Sequence, residues 1–289
     1  LTGAGYTALR FNTTGNYNTA LGDAALYSNT TADNNTAVGY QSLYANTTGA
    51  NNTGVGKSAL AANTTGDDNA SFGNGSLLVN TTGFQNTAVG RAAMDSNTTG
   101  SLNASLGYTS LQKNTTGTNN TGLGHGALRL NTTASNNTAV GYNTGYSNTT
   151  GAQNTSVGMT ALYGNTTGSD NTAIGQGALQ NNTTGGNNVA IGRASLGVNT
   201  TGTQNTALGR SALNSNTTAS NNTAVGYQAG YLNTTGVANL SLGYQAGYTN
   251  ATSNYNTAVG TQSLANNTGS NNVALGQSAL FSNTTASNN

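Results

Sequence analysis

The side chains able to do chemistry are few and scattered. His125 is the only histidine, all six acidic residues are aspartates, and there is no cysteine. A metal site needs several such ligands brought together, and the sequence sets none beside His125, which reads as a solitary exposed side chain. Asp67 and Asp68 are adjacent, with Asp33 two repeats earlier. On stacked coils that gap is on the order of 10 Å, within reach of the carboxylate separations of glycosidases. No aromatic sugar platform recurs beside them, so solvated corner aspartates are the better reading. Gly73 and Gly75 form a GxG that lacks the strand–helix context of a phosphate loop. Asn46, Asn63, Asn80, Asn97 and Asn114 each open an Asn-Thr-Thr sequence, an N-glycosylation sequon. The chain's fourteen tyrosines, among them Tyr40, Tyr44, Tyr108, Tyr142, Tyr146, Tyr227, Tyr231, Tyr244 and Tyr248, are candidates for surface contact with a glycan or a partner. No motif calls for a cofactor or a metal, and the chain reads as a protein that is not an enzyme.

What positions these residues is a period. The glycine of "NTAVG" recurs from Gly5 through Gly22, Gly39 and Gly56 to Gly260 in steps of 17, and the last step, to Gly276, is 16. Seventeen repeats fill residues 1–288, and Asn289 opens another, so the chain is one repeat array over 1–289 with no second domain or linker. A fixed short period marks a solenoid. It also argues against disorder, which the high content of Gly, Asn and Thr would otherwise suggest.

Numbering each repeat from the Asn of "NTAVG" shows what each position tolerates. Position 1 is Asn in every repeat but the first, and position 12 is the Asn of "NTT". Position 3 is Ala, Gly or Ser, position 4 is apolar, position 8 is Ala, Ser or Thr, and position 9 is Leu with a few exceptions. All Lys, Arg, His and Asp residues fall at positions 6, 10, 11, 16 and 17, which therefore face water. Positions 4 and 9 are expected to form the core, since an unpaired charge there would be costly to bury. Small residues at 3 and 8 either line a narrow interior or face a close neighbour.

"TAV" and "SAL" read as two short strands per coil, joined by Asn-to-Gly corners. The expected fold is all-β, a parallel β-solenoid with in-register ladders. Asn at positions 1 and 12 then stacks into ladders, because one amide carries both donor and acceptor. At Gly145–Tyr146, Gly230–Tyr231 and Gly247–Tyr248 the core Leu is replaced by Gly-Tyr, and a tyrosine ring is expected to cover the gap.

Only 4% of residues are charged and the net charge is +1, against roughly 25% charged in an average domain. A nucleic-acid partner is excluded for want of a basic track. No apolar run approaches the roughly 20 residues of a membrane span, so no membrane insertion is expected.

"NVAIG" (188–192) and "NTAVG" resemble the "NSVAIG" repeat of YadA-like trimeric adhesin heads. The full unit "NTAVGYxxLxxNTTGxN" is still more similar to repeats in phage tail-fibre proteins. The resemblance covers the whole chain. It implies a left-handed β-roll, a homotrimer and an extracellular fibre on a cell surface or a virion. The expected function is thus structural, the shaft or head of such a fibre. The rivals are an adhesin that binds host receptor or glycan through outer Tyr, Asn and Arg columns, and an ice-binding solenoid with Thr rows at positions 2, 13 and 14. The chain begins at Leu1 and both terminal repeats are ordinary. It is therefore expected either to continue into a longer fibre or to stack end to end with its own copies.

Overall fold

The computed structural model describes residues 1–289. It is all-β, with seventeen three-residue strands from β1 (Thr2–Ala4) to β17 (Val273–Leu275) and no helix. Two compact units, Leu1–Asn143 and Thr144–Asn289, share one architecture. Each is a parallel β-solenoid in which one repeat makes one coil. In the first unit β1 to β9 (Thr138–Val140) pair in chain order; in the second, β10 (Thr155–Val157) to β17 do the same. The register follows the period, so that Thr36 lies beside Thr53, Ala37 beside Gly54 and Val38 beside Val55. The coil that is one residue short regains this register, with Thr257 beside Val273, because the deletion falls in the turn before β17.

Each coil carries one strand, where the sequence suggested two. Residues 2–4 pair as a strand, whereas positions 5–12 form two successive turns. In one coil Ala59 N–H donates to the Gly56 carbonyl and Asn63 N–H to the Leu60 carbonyl. Ser58 (φ 56°) and Leu60 (φ 53°) between them are left-handed, which a strand excludes. The turns still pair coil to coil: Leu60 N–H donates to Ser76 O at 3.1 Å and Ala62 N–H to Leu78 O at 3.0 Å. Buried backbone groups are thereby satisfied without a second strand.

The core differs from the expectation at position 4. Position 9 is buried as expected, Leu43, Leu60, Leu77 and Leu111 all at 0% exposure. The strand residue pointing inward is position 3, so Ala37, Ala88 and Ala139 are buried, together with small residues at 8 such as Ala59 and Ala93. Positions 2 and 4 point outward together, because side chains alternate along a strand. A 17-residue coil encloses room for one Leu per level and small side chains opposite it. The small residues at 3 and 8 thus line the interior. Leucine at position 9 carries a backbone strain of about 1–2 kcal/mol in the left-handed region, offset by about 1.5–3 kcal/mol from burying its side chain.

This balance explains the Gly-Tyr coils. Gly230 and Gly247 (φ 59° each) keep the left-handed turn without strain. The vacated room is taken from inside: a Cβ at Gly230 would lie 3.0 Å from Leu213 Cδ2, and one at Gly247 would lie 2.5 Å from Ser241 Oγ. The tyrosines that follow, Tyr231 and Tyr248, are half-buried and stack on each other, 5.3 Å between centroids.

The two asparagine columns close the coils. Asn63 Nδ2 donates to Asn46 Oδ1 (2.9 Å) and to the Gly66 carbonyl (2.9 Å). The same carbonyl receives Asn52 Nδ2 at 2.8 Å. Positions 1 and 12 of one coil therefore clamp the carbonyl of position 15. Asn52 N–H also donates to Asn35 Oδ1 at 2.8 Å, tying each coil to the one before. All these side chains are buried. Asp in their place would lack both donors and bury a charge. Asn63→Asp is expected to destabilise the chain by about 3–5 kcal/mol, whereas Asn74→Asp, at an exposed position 6, stays within about 0.5 kcal/mol. Urea unfolding of both variants checks this.

The position-12 column changes at Asn250, in the one coil with Ser at position 15. There Ser253 Oγ donates to Asn250 Oδ1, and buried Asn233 Oδ1 is left with no donor. Ser253→Gly frees Asn250 to face Asn233 as its counterparts do. It is expected to raise stability by about 1 kcal/mol, measured by urea unfolding.

Candidate functional site

No pocket opens in the structure, and the features that reach solvent are columns. The outward face of the strands is the most extensive. In the first unit position 4 runs through Leu21, Val38, Val55, Phe72, Val89 and Leu106; in the second through Ile174, Ile191 and Leu242. Leu21 is 52% exposed, Phe72 42%, Leu106 51% and Leu242 41%. Beside each, at position 2, stands a half-buried or exposed residue, mostly Thr. Strand pairing sets neighbouring aliphatics about 4.8 Å apart, so they form a continuous apolar stripe. Sequence reasoning found these residues but placed them inside the coil.

The tyrosines form columns on the turn side. Tyr27 and Tyr44 stack with centroids 5.0 Å apart and planes 9° from parallel. Tyr146 and Tyr163 pair at 5.2 Å, and Tyr227 and Tyr244 at 5.6 Å. Tyr108, His125 and Tyr142 occupy position 6 in three successive coils, with the imidazole 5.3 Å from one ring and 5.2 Å from the other. Arg91 caps that run, its Cζ 5.9 Å from the Tyr108 ring, and Lys57 lies 6.0 Å from the Tyr40 ring. Such contacts contribute about 0.5–1 kcal/mol each at exposed sites. Stacking turns ring faces toward one another and presents edges and hydroxyls to solvent. A sugar that packs on a ring face therefore finds one only at the end of a run.

The remaining candidates have structural partners. Asp33 Oδ1 accepts the Asn16 N–H at 2.6 Å, and Asp67 Oδ1 accepts the Ala50 N–H at 2.7 Å. Ser101 and Ser135 serve the same purpose at position 16 in later coils. These carboxylates take the place of a hydroxyl that caps the preceding coil. The sequon asparagines Asn46, Asn63, Asn80, Asn97 and Asn114 are fully buried. Both amide hydrogens of each are engaged, as in Asn97, which donates to Asn80 Oδ1 and to the Gly100 carbonyl. No group of three or more His, Cys, Asp or Glu comes together to hold a metal.

Position 5 fixes how closely coils approach. Gly90 has φ 131°, and a Cβ on it would lie 2.6 Å from the Gly107 carbonyl oxygen. Only glycine fits, which accounts for its presence at this position in every repeat.

The repeat and its outward columns define a β-solenoid repeat protein. No family model, no curated protein and no solved structure matches the chain.

The burial of the sequons has a measurable consequence. An N-glycosyltransferase acting on the folded chain is expected to leave Asn46 through Asn114 unmodified and to modify the same residues after denaturation. Intact-mass measurement distinguishes the two.

Proposed function

We propose that the chain is a structural segment of an extracellular fibre, assembled from identical copies that cover one another's position-4 columns. The observation that carries this reading is the outward apolar stripe. Eight partly exposed aliphatic or aromatic side chains in one unit make a patch on the order of 500 Å², the size of the largest patch on a typical monomer, which is often functional. A second copy has the same stripe at the same repeat, so apolar residues meet apolar residues at every level. The small hydroxyls at position 2 leave the stripe accessible. The resemblance to trimeric adhesin heads and tail-fibre repeats makes a trimer the expected closed assembly, and a cyclic arrangement satisfies each copy equally. The low charge and the absence of any pocket suit a part whose work is support and display.

A second reading has one observation in its favour. The outward face repeats Thr at position 2 beside an aliphatic at position 4 at one-coil intervals, a regular surface of the kind an ice-binding protein offers. The Thr row at position 13 does not add to it, because Thr47 Oγ1 donates to the Thr64 carbonyl at 3.1 Å and its counterparts do likewise. Thermal hysteresis in dilute solution, with the stripe uncovered, is the outcome that favours this reading over the fibre.

Light scattering on the size-separated chain tests the fibre directly. The expected mass is a multiple of 28.7 kDa. Leu106→Asp, which sets a charge in the middle of the stripe, is expected to shift the population to monomer by at least tenfold in dissociation constant, as a charge buried without a partner weakens an interface by several kcal/mol. A wild-type chain that stays monomeric at high concentration overturns the proposal.

A further inference from the structure

The position-6 column of the second unit departs from its counterpart in the first. In the first unit no two Lys or Arg residues are neighbours in this column: Asn74 stands between Lys57 and Arg91, and Tyr108 follows. In the second unit Arg193 and Arg210 occupy successive coils. Their coils pair in register, Val189 beside Thr206, and Ser211 N–H donates to the Arg193 carbonyl at 2.9 Å. The two side chains therefore leave the backbone about 4.8 Å apart, both exposed. Two cations at that separation repel, and nothing nearby in sequence compensates them. Residues 171–289 contain no Asp or Glu, and these two arginines are the only Lys or Arg among them.

The column continues with Tyr227 and Tyr244. Arg210 Cζ lies 5.8 Å from the Tyr227 ring centroid, and Tyr227 stacks on Tyr244 at 12°. With Arg210 on one side and Tyr244 on the other, Tyr227 offers solvent its edge and hydroxyl; it is 39% exposed and Tyr244 49%. Thr261 follows Tyr244 in the column, so the outer face of Tyr244 has no ring against it. One line thus holds two guanidinium forks, two phenol hydroxyls and a terminal aromatic face.

We propose that Arg193, Arg210, Tyr227 and Tyr244 form a binding strip for an acidic saccharide, the two guanidinium groups taking a sugar carboxylate and the tyrosines its neighbouring hydroxyls and ring. Guanidinium matches carboxylate geometry with two parallel hydrogen bonds, and a carboxylate between the two arginines relieves their repulsion. A nucleic acid is the poorer fit, because two cations make too short a track for a phosphate backbone. The strip lies in the turn-side column, whereas the stripe that joins copies is formed by position 4, so this site stands or falls independently of the fibre assembly.

The test is calorimetric titration of the full-length chain with three probes. One is a tetrasaccharide of alternating uronic acid and N-acetylhexosamine, one a neutral tetrasaccharide of glucose, and one a short oligothymidylate. The uronate probe is expected to bind and to weaken as salt rises from about 50 to 200 mM, as exposed ion pairs are screened. The double variant Arg193→Gln/Arg210→Gln is expected to lose at least about tenfold in affinity, and Arg193→Lys/Arg210→Lys to lose less, since lysine keeps the charge but not the fork. Arg10→Gln, at position 10 of a repeat in the first unit, is expected to bind as the wild type does. All the substituted side chains are exposed, so the unfolding midpoint should fall by no more than the loss of an exposed cation–π contact, such as that of Arg210 with Tyr227, accounts for. The proposal is overturned if no probe binds, if the neutral sugar binds as well as the uronate, or if the double variant binds unchanged. Oligothymidylate binding as tightly as the uronate overturns it too, showing a general attraction for polyanions instead.

Discussion

One carbonyl oxygen per coil holds the architecture together. The position-15 carbonyl, such as that of Gly66, receives the amides of Asn52 and Asn63 from its own coil. That bond pair draws the two ends of the turn region against the strand and makes the chain curl into a closed loop. The acceptor oxygens of the same asparagines then receive donors from the next coil, Asn52 Oδ1 from the Asn69 N–H and Asn63 Oδ1 from Asn80 Nδ2. Asparagine alone among the side chains of this size offers two donors and an acceptor without charge. A polar residue thus sits at the centre of the fold in a place where leucine would do nothing. A buried amide left half-paired costs about 1–3 kcal/mol, so the network works only when it is complete, and the coil around Asn250 shows one place where it is not.

Thin interiors follow from this closure. With Asn filling two corners, the remaining space takes a single leucine per level, as at Leu60 and Leu77. The opposite wall must be Ala, Ser or Gly. Apolar surface that the interior cannot hold is left on the outside of the strands. The outward stripe is therefore a consequence of how tightly the coil closes.

Much of this was legible in the repeat. The period, the Asn columns and the burial of position 9 follow from residue identity alone. Position 4 misled because Val, Leu and Ile mark burial without saying whether the cover comes from the same chain or from another. Alternation along "TAV" puts Thr and Val on one face and Ala on the other, and the small residue at position 3 was the clue to which face is inside. "SAL" looks like a strand because left-handed Leu60 has no signature in composition; leucine rarely accepts φ near 53°, and does so here because burial outweighs the strain. Among the candidate sites, the spacing of tyrosines was visible, but the mutual covering of their faces required knowledge of which turns align. The Arg193–Arg210 neighbourhood was present in the sequence as two charges at one position, and gained meaning once the coils were seen to pair there.

The direction of the inter-coil hydrogen bonds also sets how such a stack yields to force. Bonds such as Leu60 N–H to Ser76 O and the Asn63–Asn46 contact run from coil to coil, along the stacking direction. Tension applied in that direction is carried by every junction in series, and the bonds of the weakest junction give way together first. Each peeled coil releases 17 residues, about 55–60 Å of extended chain, and leaves the next junction as it was. Extension would then proceed in equal steps, with each coil acting as a small fuse that protects the remainder.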